Sequence, residues 1–349
     1  MKKLLLLLLV GILSVSVVSC KKKPKNEVYV FNWTEYIPDD VIKQFETETG
    51  IKVKYTTYDS NEAMYAKIKL TGGADYDLAI PSTYYVQKMA KEGLIQQVDL
   101  SKLKNFSGLD SKFVDQVFDR GNKYSIPFMW GSTAIGVNAK YIDPATITSW
   151  NDLWKPEFKG KVMLQNDIRE VFHAALRSLG YSGNTKNPKE IEEAYNYLVK
   201  LMPSVKLFNS DSPRTPFLNG EVNIGIMWGG EAFMAQMENK DIKYIYPKDG
   251  AALWIDNLII PSKAKNLENA HKFIDFVIRP DISAKISNYV GYSTPVKKDL
   301  VAKYLDEEAA NSRIIFPADE DLEKAEIQID VEEALEVYNK FWEKLKIGE

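Results

Sequence analysis

The chain has 349 residues, of which 45 are Lys or Arg and 48 Asp or Glu, with two histidines and one cysteine. This slightly acidic balance argues against a nucleic-acid partner, and a single cysteine excludes a disulfide within the chain. The length is enough for two lobes with separate cores.

Met1-Lys2-Lys3 leads into an apolar run from Leu4 to Val18. A basic start and about 15 apolar or small residues before a small-residue cut read as a secretory signal, too short to span a bilayer. The signal is placed at residues 1–19. The run closes on Val17-Val18-Ser19-Cys20, which resembles the lipobox of bacterial lipoproteins. Cys20 is therefore the expected lipidation site, on a membrane-anchored, extracytoplasmic protein. Residues 20–26 are polar and lysine-rich and read as a tether, whose lysines can rest against anionic lipid. Lys2, Lys3 and the four tether lysines are six of the 45 basic residues. The remainder carries 39 basic against 48 acidic residues, a net charge of −9 that is compatible with a cationic ligand.

The tether gives way to Glu27-Val28-Tyr29-Val30-Phe31, a β-rich run, and then, past Pro38, to a helix from Asp39 with acids early and Gly50 as its stop. Ile51 to Tyr55 alternates like a strand. Asn61 is placed to cap a helix from Glu62 to about Leu70. Tyr76 to Pro81 reads as a buried strand with Ser82-Thr83-Tyr84-Tyr85 at its exit. Strand alternating with helix implies an α/β sheet layered by helices. The pattern returns in strand 161–164, helix 167–179, helix 188–201, strand 221–228 with a glycine turn and a helix through Phe233, and strands 243–247 and 252–261. A helix from Ala270 to Ile278 is stopped by Arg279-Pro280, and an amphipathic helix closes the chain at about 331–345.

Tryptophans and carboxylates coincide at places that read as strand ends: Trp33 with Glu35, Trp254 with Asp256, and Trp228 closing an apolar run. An aromatic face attracts positive charge and a carboxylate pairs with it, so the combination suits an organic cation. The i, i+2 spacing of the first two pairs puts both side chains on one face of a strand. Ligands of open α/β sheets bind beyond the carboxyl ends of strands, and Trp33, Tyr84, Asp167 and Trp228 fall there. Each residue also has a plainer structural reading. Asp167 and Glu170 have capping-box spacing, in which Glu170 would reach back to the Asp167 N–H. Trp33 and Trp254 equally suit packing, Tyr292 is more often loop packing, and Trp130, Trp150, Trp154 and Trp342 read as core or lobe-surface residues. His173 and His271 sit on different helices without ligand-like spacing. Tyr84 and Tyr85, read as strand neighbours, would face opposite sides. No metal or cofactor is expected, and no nucleophile motif or phosphate loop stands out.

Asn32-Trp33-Thr34-Glu35-Tyr36, Pro81-Ser82-Thr83-Tyr84-Tyr85-Val86, Ser149-Trp150-Asn151-Asp152-Leu153-Trp154, Asp167-x-Arg169-Glu170 and Gly180-Tyr181-Ser182-Gly183-Asn184-Thr185 occur in order. With Trp228, Trp254-x-Asp256 and Gly291-Tyr292-x-Thr294-Pro295, they resemble the spermidine/putrescine-binding proteins of bacterial polyamine ABC importers, from about residue 27 onward. The resemblance implies an α/β, two-lobed periplasmic-binding-protein fold of type II: residues 27–131 and 256–300 in lobe 1, 132–255 and 301–349 in lobe 2. It implies a non-enzymatic receptor, monomeric, with a polyamine ligand and a membrane ABC permease as partners. It carries polyamine contacts onto Trp33, Thr34, Glu35, Tyr36, Ser82, Tyr84, Asp167, Glu170, Trp228, Trp254, Asp256, Tyr292 and Gln328. The Thr34-Glu35 pair leans toward spermidine. Glu231, where a small polar residue is more usual, is expected to face solvent. A receptor of the same fold for sugars or other small solutes is the alternative.

Overall fold

The computed structural model describes residues 26–348; the signal segment and Cys20 lie outside the described residues. Asn26, expected in the tether, is already tied down, because its amide donates to the Gly50 carbonyl at 2.9 Å.

Strand β1 (Glu27–Trp33) lies between β2 (Lys52–Tyr58) and β3 (Leu78–Ala79), both parallel to it. Helices α1 (Asp39–Thr49) and α2 (Asn61–Thr71) make the crossovers, and α3 (Thr83–Lys91) and β4 (Ile95–Gln96) follow β3. The long strand β5 (Ser125–Asn138) leads to β6 (Val162–Leu164), α4 (Ile168–Ser178), α5 (Pro188–Leu201), β7 (Val205–Phe208), α6 (Arg214–Leu218), β8 (Ile224–Trp228), α7 (Gly229–Glu238) and β9 (Ile242–Ile245). Then come β10 (Ala252–Pro261), α8 (Leu267–Val277), α9 (Pro280–Val290), β11 (Glu326–Ile327) and the C-terminal helix Ala334–Ile347. The strands join in the order β2-β1-β3-β10-β5-β8-β6-β7, with β4 and β11 on β10 and β9 on β5.

The apolar interior divides along β5 and β10. Ile126, Phe128 and Met129 of β5 and Leu258 and Ile260 of β10 pack with β1, α1, α8 and α9. Phe31, Ala79, Ile255 and Ile259 pack on the other face with Met64 and Ile68 of α2 and Tyr84 and Val86 of α3. Ile135 and Val137 of β5 belong to a different core, with β6, β8, α4, α5 and the C-terminal helix. One strand thus starts in one core and ends in another, and residues 130–134 cross between them. Burying a single large side chain of these cores stabilises by about 1.5–3 kcal/mol.

Three local expectations are corrected. Tyr76 to Pro81 pairs as a strand only at Leu78–Ala79. Residues 82–85 do follow the strand, but as the start of a helix: Ser82 is the N-cap residue of α3, so Tyr84 and Tyr85 are helical neighbours with ring centroids 5.0 Å apart, not strand neighbours facing opposite sides. Asn61 does not cap α2. Ser60 does, its hydroxyl accepting from the Ala63 N–H, and Asn61 is the first helical residue, buried. Pro280, expected only to stop a helix, also opens α9 at its first turn, where a missing N–H costs nothing.

Candidate functional site

Asp256 sits where the β5–β10 ladder slips register, between Asp256 and Asn257. A bulge re-aims side chains that an even ladder would hold. The segment after β3 docks on this irregularity: the Asn257 N–H donates to the Pro81 carbonyl at 2.8 Å, and Ser82 bridges Asp256. The buried Asp256 carboxylate accepts from the Ser82 hydroxyl at 2.6 Å and from the Tyr36 hydroxyl at 2.5 Å. Burial pushes its pKa up to about 6, although both hydroxyls favour the ionised form.

Aromatic rings line up from this carboxylate. The Tyr36 ring lies 6.0 Å from that of Tyr292, and Tyr292 meets Trp254 edge-to-face at 4.9 Å. Two glycines make room. A Cβ on Gly131 would stand 2.5 Å from the Trp254 ring, and one on Gly230 would stand 2.5 Å from the Tyr292 ring. Trp254 and Asp256 are both within β10, as their spacing predicts.

Asp167 and Glu170 open α4. The Asp167 carboxylate caps the helix, accepting the N–H groups of Arg169 at 2.9 Å and Glu170 at 3.1 Å. The reciprocal half of a capping box is not formed. Glu170 is buried and turns toward Thr133 and Trp228, which favour its ionised form. Burial, and for Glu170 also the Asp167 charge, raise both carboxyls above their ordinary values. Between them in sequence, the Arg169 guanidinium is held 5.5 Å from the Tyr84 ring and 5.7 Å from that of Tyr338. It donates to the Ile329 carbonyl at 2.9 Å and the Asn184 amide oxygen at 2.8 Å.

The remaining expected residues divide. The Trp33 indole donates to the Ile80 carbonyl at 2.9 Å and packs on Tyr58. Gln328 is buried beside β10, its backbone N–H donating to the Leu253 carbonyl at 2.8 Å. Thr34 and Glu35 are exposed. Strand β1 ends at Trp33, and Glu35 turns left-handed with φ 53°, so the one-face argument for Trp33 and Glu35 fails. Glu231 corrects a second expectation. It is half-buried and ion-paired with Arg214 at 3.2 Å, its pKa raised by burial, with the Glu35 charge adding to the shift. His173 is buried and pushed down to about 3 by that burial; the His271 ring accepts the Asp99 N–H at 3.0 Å.

Several buried polar atoms have no partner among the described residues: Glu170 Oε2, Glu231 Oε2, Trp254 Nε1 and Gln328 Nε2. Such groups are costly unless something else satisfies them. Sequence reasoning missed Asn61, whose amide reaches Ser82 and Tyr84, because a polar residue at a helix start resembles a cap. It also missed the Arg214 partner of Glu231, which is 17 residues away in sequence.

Residues 40–316 match the family described as bacterial extracellular solute-binding protein. The chain is 50% identical over 343 residues to the spermidine/putrescine-binding periplasmic protein of Escherichia coli (strain K12), covering 98% of each. It is 41% identical over 320 residues to spermidine/putrescine-binding periplasmic protein 1 of Haemophilus influenzae, covering 91% of this chain and 88% of that one. Among solved structures, the TpPotD lipoprotein of Treponema pallidum superposes with a TM-score of 0.83 at 30% identity, over 91% of this chain and 99% of that one. The spermidine/putrescine ABC transporter substrate-binding protein of Streptococcus pneumoniae gives 0.79 at 38% identity, over 92% and 99%. The chain belongs to the bacterial extracellular solute-binding protein family and has the mixed α/β fold of periplasmic solute-binding proteins.

Proposed function

We propose that this protein is an extracytoplasmic receptor that closes on a linear polyamine, spermidine or putrescine, and delivers it to an ABC permease. The observation that carries the reading is the buried Asp256 carboxylate at the foot of the Tyr36, Tyr292 and Trp254 rings. A carboxylate taken out of water calls for a positive partner, and the rings supply apolar walls for methylenes and about 0.5–2 kcal/mol of cation–π attraction per good contact. Asp256 would take an inner amine. Asp167 and Glu170 would take one terminal ammonium, and Thr34 and Glu35 the other. Trp33, Tyr84 and Trp228 would complete the walls, with Ser82 and Gln328 as polar contacts. A neutral sugar would leave the carboxylates without a counter-charge.

The receptor reading includes two lobes, residues 27–131 with 256–300 and residues 132–255 with 301–349, meeting across β5 and β10. A ligand touching both lobes favours the closed arrangement because only that arrangement offers it every contact. It also includes a monomeric protein anchored through Cys20; the Treponema pallidum relative is a lipoprotein. The Escherichia coli relative is a binding protein and the Streptococcus pneumoniae relative the substrate-binding protein of an ABC transporter, and the function proposed is binding, without turnover.

Calorimetry and thermal melting with spermidine, putrescine, spermine and maltose test the reading. Spermidine and putrescine are expected to bind tightly and raise the melting temperature. A shift with maltose and none with either polyamine would refute it.

A further inference from the structure

Asn61 is nine-tenths or more buried at the first turn of α2, and its cap role is taken by Ser60. Its amide orientation is fixed by chemistry. The Ser82 backbone N–H, 3.1 Å away, can only donate, so Oδ1 is the atom that faces it. Nδ2 then donates to the Ser82 hydroxyl oxygen at 3.1 Å and to the Tyr84 hydroxyl oxygen at 3.0 Å. With its oxygen accepting from Asn61, the Ser82 hydroxyl sends its own proton to Asp256 Oδ1 at 2.6 Å. A chain of donors thus runs from Asn61 through Ser82 to Asp256, and the same amide grips Tyr84.

We propose that Asn61 is a positioning residue for ligand binding: it locks Ser82 as a donor to Asp256 and so keeps that carboxylate ready for an ammonium. The proposal rests on the reading of Asp256 as an ammonium partner. Among the described residues, no charged side chain shares the work. The titratable groups facing Asp256 are Tyr36, Tyr58 and Tyr292, which burial raises well above the ordinary tyrosine value and so keeps neutral. Hydrogen bonds, with Ser82 the leading one, oppose the burial that would otherwise neutralise Asp256. Cooperative chains of this kind strengthen each member, so removing the far end weakens the near one.

The test is a carbon-13 carboxyl NMR titration of Asp256 in the ligand-free protein, with spermidine calorimetry at pH 5.5 and 8. It compares wild type, Asn61→Leu, Ser82→Ala and the double variant. Asn61→Leu is expected to raise the Asp256 midpoint by about half to one unit. It should weaken spermidine binding several-fold more at the acid pH than at the alkaline one. In the Ser82→Ala background most of that rise should disappear, because the two residues act in series. If Asn61→Leu does not fold, Asn61→Asp replaces it: it keeps an acceptor for the Ser82 N–H but loses the donor. Its charge effect persists without Ser82, whereas its effect through the hydroxyl does not. An Asp256 midpoint indifferent to residue 61, or additive shifts in the double variant, overturns the relay. A wild-type protein that ignores spermidine while Asp256 still follows residue 61 sinks the polyamine reading and leaves the relay standing.

Discussion

Asp256 works against the stability of the empty protein at neutral pH. Its folded pKa of about 6 lies above the ordinary carboxyl value of about 3.9. The folded state therefore holds this proton more tightly than the unfolded chain. Its contribution is most favourable below about pH 4, declines as pH rises to about 6, and then stays level; the ionised group costs about 3 kcal/mol at neutrality. On the proposed reading a ligand ammonium would offset that cost, which would make the site more selective for cations than an exposed acid. Asp256→Asn is accordingly expected to lose spermidine affinity by about 10–100-fold, the value of a hydrogen bond to a charged partner, while the empty variant melts a few degrees higher at pH 7.5. Calorimetry paired with melting curves checks both signs, and a variant that melts lower and binds normally contradicts the account. For the wild type, affinity should rise as pH passes through about 6, where Asp256 ionises, and go on rising toward about 8, where burial and the Asp167 charge place Glu170, because the ligand amines stay charged through this range. Asp167, also raised by burial, adds to the rise. Equal affinities at pH 4.5 and 7.5 would show that ionised carboxylates do not hold the ligand.

At the scale of elements, the site depends on close approach as much as on charge. Gly131 lies opposite Trp254 in the β5–β10 ladder, and a Cβ there would enter the indole. Overpacking of this kind costs about 1–3 kcal/mol, and the indole is freer to move than the two long strands. Gly131→Ala is therefore expected to displace Trp254 and lower spermidine affinity about tenfold, with a changed tryptophan emission spectrum. Gly108→Ala, where the nearest heavy atom to a Cβ is 3.5 Å away, should leave affinity unchanged. The glycine that admits the indole also hid its strand. β5 is buried on both faces along nearly its whole length, so it has no alternation, and Pro127, Gly131 and Gly136 punctuate it like loops. β10, equally buried, was legible because its run from Ala252 to Pro261 has no glycine. The Trp254–Asp256 pair could be read from spacing because it lies within a strand. Trp33 and Glu35 could not, because the strand ends at Trp33 and the chain turns left-handed at Glu35 itself. Asn61 carries the general lesson: polar residues at helix starts are ambiguous until one knows which of two neighbours, here Ser60 or Asn61, makes the cap.

Across the whole molecule, the contacts that join the different cores are of several kinds. Tyr292 packs on Gly230, and Arg169 sits over Tyr84. On the surface, Lys91 at the end of α3 meets Glu332 at 2.9 Å, and Lys186 meets the other oxygen of the same carboxylate at 2.8 Å. The two lysines hold the Glu332 carboxyl down at about 2. Glu332 lies between Val331 and the C-terminal helix, whose core is not the one α3 packs into, and its φ of 54° is left-handed. A residue without special need avoids that conformation. Exposed ion pairs add little to static stability, so this bridge should hardly move the melting temperature. On the proposed two-lobe reading its effect belongs to the equilibrium between open and closed lobes, because opening would separate Lys91 from Glu332 whereas Lys186 would travel with Glu332. Glu332→Gln is thus expected to speed spermidine release about two- to fivefold at 50 mM NaCl, and by much less at 500 mM, where the screening length is only a few ångströms. Stopped-flow tryptophan fluorescence at the two salt concentrations measures this ratio of variant to wild type. Taking the ratio removes the salt dependence that the cationic ligand itself brings to both proteins. A ratio near one at low salt would mean that Lys91 and Glu332 stay together as the lobes part, and would place the hinge elsewhere than across β5 and β10.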